Sequence, residues 1–138
     1  MKNKFSKHWK SSKQPRKQRK YNANLHLHLK KKLMSVNLSK ELRKKYGKRN
    51  VPLRKGDTVK IMRGKFESKS GKVTEVKLKT SKVIVEGIQV KKQEGSKVNI
   101  KLRPSNLQII ELNLEDKKRL KTEKKAHSDK KEKKENAS

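Results

Sequence analysis

Every isoleucine and all but one of the valines lie between residues 51 and 110. β-Branched side chains have few χ1 rotamers and suit the pleated, half-buried surface of a strand. The residues suited to a β core are therefore gathered in the middle of this chain. Of its 39 apolar residues, 22 fall within 51–116. They come in short runs. Val59 and Ile61 alternate with Thr58, Lys60 and Met62, and Val73, Val76 and Leu78 follow Gly71. Val83-Ile84-Val85 forms a third run, ended by Gly87. Val90 and Val98–Ile100 flank Glu94-Gly95, which reads as a hairpin turn, and Leu107-Gln108-Ile109-Ile110 closes the series. Gly56-Asp57, Arg63-Gly64 and Ser70-Gly71 punctuate the runs. Five or six short strands at this spacing predict a mainly β fold, a small antiparallel barrel.

The flanks are different. Met1–Tyr21 has Lys or Arg at about every second position, with only Phe5 and Trp9 as large apolar groups. Alone in water such a segment is expected to be disordered, and Pro15 adds a break. Leu25-His26-Leu27-His28-Leu29 alternates like a strand, yet Leu25, Leu29, Leu33 and Met34 share one helical face, so a short helix is expected. Ser39 to Tyr46 predicts a second helix, with Ser39 as cap, Glu41 early, Arg43, Lys44 and Lys45 late, and Gly47 as the stop. Two turns do not hold themselves together in water, so this helix must dock. Tyr21 and Tyr46 are expected to pack the arm helices on the domain. Beyond the barrel, Asn113 with Glu115 and Asp116 reads as a capped helix start, and Thr122–Ser138 is low-complexity sequence expected to fray. The expected organisation is a basic extension with short helices (1–50), a barrel (51–112) and a C-terminal helix with a charged tail (113–138).

Charge narrows the function. The chain has 43 Lys plus Arg against 13 Asp plus Glu, a net charge of +30. Residues 1–50 hold 18 basic residues and one acidic residue, a net +17; 51–116 hold +7 and 117–138 hold +6. Such a surplus points to a polyanion, with nucleic acid first and anionic membrane second. No apolar stretch approaches the roughly 20 residues that span a bilayer. No apolar segment follows the early lysines, so a secretory signal is not expected. Residues 1–21 also lack the apolar face of a membrane-surface helix. The absence of cysteine excludes disulfides, thiol catalysis and cysteine-bound zinc. His26 and His28 form an H-x-H pair without a third nearby ligand, so no metal site is expected. No nucleotide-binding glycine loop or nucleophile elbow is present. Asp57 and Glu75 sit at strand positions, and Glu115 and Asp116 are explained by helix-start chemistry. No enzyme and no cofactor are expected.

One stretch carries a specific signal. Gly56-Asp57-Thr58-Val59-Lys60-Ile61-Met62-Arg63-Gly64 leads into Lys65-Phe66-Glu67-Ser68-Lys69-Ser70-Gly71-Lys72-Val73. Physically this is a strand, a lysine-rich loop bounded by Gly64 and Gly71, and a returning strand. Glycine permits tight turns and close backbone approach, and loop lysines place donors against successive phosphates. The stretch resembles the KOW motif of SH3-like barrels. Gln14-Pro15-Arg16-Lys17-Gln18-Arg19-Lys20, Leu33-Met34-Ser35, Leu38–Gly47, Val85-Glu86-Gly87 and Pro104-Ser105-Asn106-Leu107 are similar to the universal KOW-containing family of the large ribosomal subunit, protein twenty-four in the universal scheme. Ile109–Asp116 resembles its archaeal branch. The resemblance covers roughly 11–120. Within it Ser68 stands where a second loop glycine is usual, Glu67 where a basic residue is common, His28 where Arg is usual, and Arg103 where His is usual.

The resemblance implies an SH3-like barrel bound to large-subunit ribosomal RNA, joined early in assembly, near the polypeptide exit tunnel of cytoplasmic ribosomes. Neighbouring large-subunit proteins are implied partners, and nascent-chain or targeting factors are partners the tunnel exit would offer. Neither membrane insertion nor a homo-oligomer is expected. The expected RNA contacts in the arm are Lys10, Lys13, Arg16, Lys17, Arg19, Lys20 and Lys30–Lys32 (Lys30, Lys31, Lys32). Around the second helix they are Arg43, Lys44, Lys48 and Arg49. On the barrel they are Arg54, Arg63, Lys65, Lys69, Lys72, Lys91, Lys92 and Arg103. Trp9 is poised between stacking on a base and packing on its own protein, and Phe66 between stacking and filling the barrel mouth. A transcription-associated KOW factor is the rival reading, but such a factor would not need the Leu38–Gly47 and Pro104–Asp116 motifs.

Overall fold

A computed structural model describes residues 7–116 and 119–120. Among them seven strands form one sheet: β1 Ser35–Leu38, β2 Asn50–Pro52, β3 Thr58–Ile61, β4 Ser70–Lys77, β5 Lys82–Lys91, β6 Lys97–Leu102 and β7 Leu107–Glu111. Their order is β2-β1-β7-β3-β4-β5-β6. Neighbours are antiparallel except β1 and β7, which run parallel with Asn37 opposite Gln108 and Leu38 opposite Ile109. Val36, Leu38 and Val51 from one end of this order share a core cluster with Val83 and Val85 of β5, against which Ile100 and Leu102 of β6 also pack. A sheet whose two ends share one core is curled on itself, which is the small β-barrel form expected. Along β3, Val59 and Ile61 point inward and are fully buried, while Thr58 and Lys60 are half-buried.

β1 and β2 go beyond the strands expected from the apolar runs. Each is too short to stand out by pattern, and each is held by sheet position. β1 pairs on both sides, and Met34, Val36, Leu38, Val51 and Leu53 are all buried. The barrel's core cluster therefore draws on residues from Met34 onward, N-terminal to residue 50. Gly87 does not end a strand either. β5 continues through it to Lys91, with Gly87 at φ +76 where the register with β6 slips between Ile84 and Gln89. A positive-φ glycine lets a strand bulge and re-aim without terminating.

The two loop glycines also part company. Gly64, at φ +102, turns the chain with open space around it. Gly71 is not a turn residue; it lies inside β4, opposite Val59. A Cβ there would come within 2.7 Å of the Glu86 carbonyl oxygen and 2.9 Å of Val85 Cγ1. Gly71 therefore permits close approach of β4 and β5. Gly71→Ala should destabilise the fold by about 1–3 kcal/mol through overpacking against backbone, measured by denaturant melts. Ser68, by contrast, occupies the left-handed region at φ +68, where a glycine would be unstrained. Its amide donates to Ile61 O at 2.9 Å, and Ile61 N donates to Lys69 O at 2.8 Å, so the loop closes despite the strain.

In the arm, a 3-10 turn at Lys7–Ser11 is followed by three helices, α1 Pro15–Asn24, α2 Leu27–Leu33 and α3 Lys40–Tyr46. α1 covers the second part of the segment expected to be disordered alone in water. Pro15 starts it, because at the first turn proline's missing N–H costs nothing and its φ suits the helix. Gln18 Nε2 donates to the carbonyls of Ser12 (2.6 Å) and Trp9 (3.0 Å), tying the 3-10 turn to α1. α3 matches expectation. The Ser39 hydroxyl accepts from Leu42 N at 3.4 Å, and Gly47, at φ +64, donates to Arg43 O. Ser39 N also donates to Ile109 O at 2.9 Å, which docks the start of α3 on β7. Asn113–Asp116 does not begin a helix. The Asn113 side-chain oxygen accepts from Glu115 N two residues on, a local turn, while 117, 118 and the tail from 121 lie outside the described residues.

That C-terminal segment is pinned by a buried ion pair. Asp57, fully buried, accepts from Arg119 Nη1 and Nη2 at 2.6 Å each. The same carboxylate accepts from the amides of Arg54 (2.8 Å) and Asn113 (3.0 Å). Arg119 also donates to the carbonyls of Asn113 and Pro52. A planar guanidinium suits this two-point grip.

Candidate nucleic-acid interface

Segments far apart in sequence line a cleft of about 650 Å³ beside the barrel. Arg19 comes from α1, Lys30 from α2, Lys79 and Lys82 from the β4–β5 turn and the first residue of β5 that follows it, and Arg103 from the segment before β7. Local structure fixes each wall. The Ser35 hydroxyl donates to Lys32 O at 2.7 Å, closing the end of α2. Ser81, at φ +52, tightens the β4–β5 turn, and its amide donates to Leu78 O. After Arg103, the buried Pro104 opens a single 3-10 turn whose Asn106 carbonyl accepts from Met62 N at 2.8 Å, anchoring it to the end of β3. Among the described residues the lining contains five cations and no carboxylate. Cations crowded around one concavity repel one another, and a polyanion relieves that repulsion. Arg19 and Arg103 offer planar forks to phosphate, while the lysines act as point charges.

Arg19, Lys30 and Arg103 are thus the expected contacts that the fold unites. Lys79 and Lys82 escaped the sequence reading, since a lysine-flanked turn looks like ordinary solvated charge until the arm is seen beside it. A second, shallower notch of about 290 Å³ gathers Arg43, Lys48 and Arg49 around Gly47 at the end of α3. The remaining arm cations are distributed: Lys10 on the 3-10 turn, Lys13 on the linker, Arg16, Lys17 and Lys20 on α1, and Lys31 and Lys32 on α2, all exposed. Lys44 is exposed on α3. On the barrel, Arg63, Lys65 and Lys69 are exposed on the β3–β4 loop and Lys72 on β4. Lys91 and Lys92 sit at the tip of the β5–β6 hairpin, with Lys92 3.5 Å from Glu94. Arg54 is engaged within the chain, donating to Asp116 at 2.7 Å.

The aromatic side chains have neighbours within the chain. Trp9 is half-buried, with Lys20 Nζ 5.2 Å from its ring centroid. Phe66 packs against the barrel core, and Lys69 Nζ lies 5.4 Å from its ring centroid. Tyr21 lines a cleft with Leu25 and Leu29 of the arm. The rings of His26 and His28 lie parallel, with centroids 5.8 Å apart. Among the described residues no helix is long and apolar enough to cross a membrane.

A family model that describes the eukaryotic ribosomal proteins L26 and their archaeal counterparts matches residues 12–125. The chain belongs to this family. It is a structural ribosomal protein of the large subunit. The family match takes in α1, both basic concavities, the whole sheet and Arg119, so the cleft is built entirely from matched residues. It also spans the Leu38–Gly47 and Pro104–Asp116 segments that a transcription-linked KOW factor would not need.

Proposed function

We propose that this ribosomal protein holds large-subunit ribosomal RNA by gripping phosphates between its arm and its barrel. One observation carries the reading: five cations from four separate segments converge on a concavity that, among the described residues, no carboxylate lines. The barrel supplies fixed geometry. The arm supplies most of the charge, because residues 1–50 hold +17 of the net +30. Arg19, Lys30, Lys79, Lys82 and Arg103 make the central contacts. The α3 notch, the arm cations Lys10, Lys13, Arg16, Lys17, Lys20, Lys31 and Lys32, Lys44 of α3, Arg63, Lys65 and Lys69 of the β3–β4 loop, Lys72, and Lys91 and Lys92 of the β5–β6 hairpin extend them along the RNA. The reading also includes early association during subunit assembly and a place near the tunnel exit, where nascent-chain or targeting factors would meet the chain. These two points rest on the family resemblance. Sedimentation tests the proposal: after a moderate salt wash the chain should remain with the large subunit. Recovery with RNA polymerase and absence from subunits would contradict it.

A further inference from the structure

The arm also contains an apolar concavity, distinct from the two basic ones. The apolar stripe Leu25, Leu29 and Leu33 borders α1, whose one large ring is Tyr21. A cleft of about 260 Å³ remains between them. Buried Leu25 lines it together with Tyr21, Leu29 and Leu33. Lys10 and Lys32 stand at the rim, both exposed. Leu33 is left 52% exposed, although it sits on a helix with other leucines to pack against. We propose that this cleft receives one unstacked nucleobase of the bound RNA, with its flanking phosphates held by Lys10 and Lys32. The inference rests on the RNA-binding reading above.

The chemistry favours a base over an apolar side chain of a protein neighbour. A nucleobase has apolar faces and lies within a few ångströms of phosphate, so it needs a greasy slot with cations beside it. Unpaired bases are commonly bound by stacking on aromatic side chains, which is tolerant of base identity. Among the described residues no carboxylate lines this cleft, and residues 1–50 carry a single acidic residue. A protein side chain entering here would have to come from a strongly acidic surface.

Stacking and phosphate neutralisation respond differently to salt, which makes the test selective. The full-length chain is titrated with large-subunit ribosomal RNA across a salt series as wild type, Tyr21→Leu and Tyr21→Phe. Tyr21→Leu should weaken binding by roughly fivefold to a hundredfold at every salt concentration, with the slope of log affinity against log salt unchanged. Tyr21→Phe, which keeps the ring, should restore most of the affinity. Photocrosslinking of the wild type to RNA containing 4-thiouridine gives a readout independent of folding effects: an adduct is expected on the peptide containing Tyr21. Wild-type affinity in a stably folded Tyr21→Leu, or adducts elsewhere on the arm but none on that peptide, would overturn the base slot and leave the RNA reading intact. A wild type whose affinity ignored salt would overturn the RNA reading itself.

Discussion

Replacing Arg119 by methionine should destabilise the folded chain by about 3–5 kcal/mol, the range for stripping a buried charge of its partner. Asp57 is fully buried, and both its oxygens accept from Arg119 at 2.6 Å. Removing the guanidinium leaves a carboxylate with only the Arg54 and Asn113 amides for compensation. Against a total stability of roughly 5–15 kcal/mol for a domain, that loss is large. Denaturant titration should show a lower midpoint with the slope unchanged. Asp57→Asn should also destabilise, because it leaves the arginine charged and buried. The double variant should lose less than the sum of the two, since no buried charge remains and asparagine keeps an oxygen for one amide. A loss below about 1 kcal/mol for Arg119→Met would show that the pair does not pin this segment.

Removing three cations from the large cleft should cost more in RNA affinity than removing three from elsewhere. In Arg19→Ala, Lys30→Ala, Arg103→Ala combined, affinity for large-subunit RNA should fall about a hundredfold at fixed moderate salt. This takes about 1 kcal/mol per lost contact, below the value for fully buried charged hydrogen bonds because the site is open to solvent. The control carries the same change in net charge at Lys40, Lys55 and Lys101, which are exposed and outside both concavities. It should lose much less. Equal losses would mean that net charge, and not the geometry of the cleft, sets affinity.

Much of this was legible in the sequence, for identifiable reasons. α3 was readable because each end is signalled by local chemistry, Ser39 at the cap and Gly47 beyond the last turn. β3 was readable because Val59 and Ile61 alternate with polar residues over a buried face. β1 was not, because Ser35–Leu38 is short and its stability comes from β2 and β7, which approach only in the fold. Gly71 looked like punctuation because a glycine that accommodates a neighbouring carbonyl and one that turns the chain are the same letter. Arg119 belonged to a basic run, and nothing local marked it as the partner of a residue 62 positions earlier. The site divides in the same way. Individual arm cations were foreseeable from composition, but their meeting with Lys79, Lys82 and Arg103 depends on how the arm lies beside the barrel.

The central claim is that phosphate neutralisation holds this protein on ribosomal RNA, and the salt dependence of wild-type binding tests it most directly. Each phosphate neutralised should contribute a slope of roughly −0.7 to −0.9 in a plot of log affinity against log salt concentration. Five cleft cations acting on five phosphates would give about −3.5 to −4.5, steeper as the arm and the α3 notch add contacts. A straight, steep decline of at least that size is the predicted result. Affinity that barely changed between low and moderate salt would contradict it.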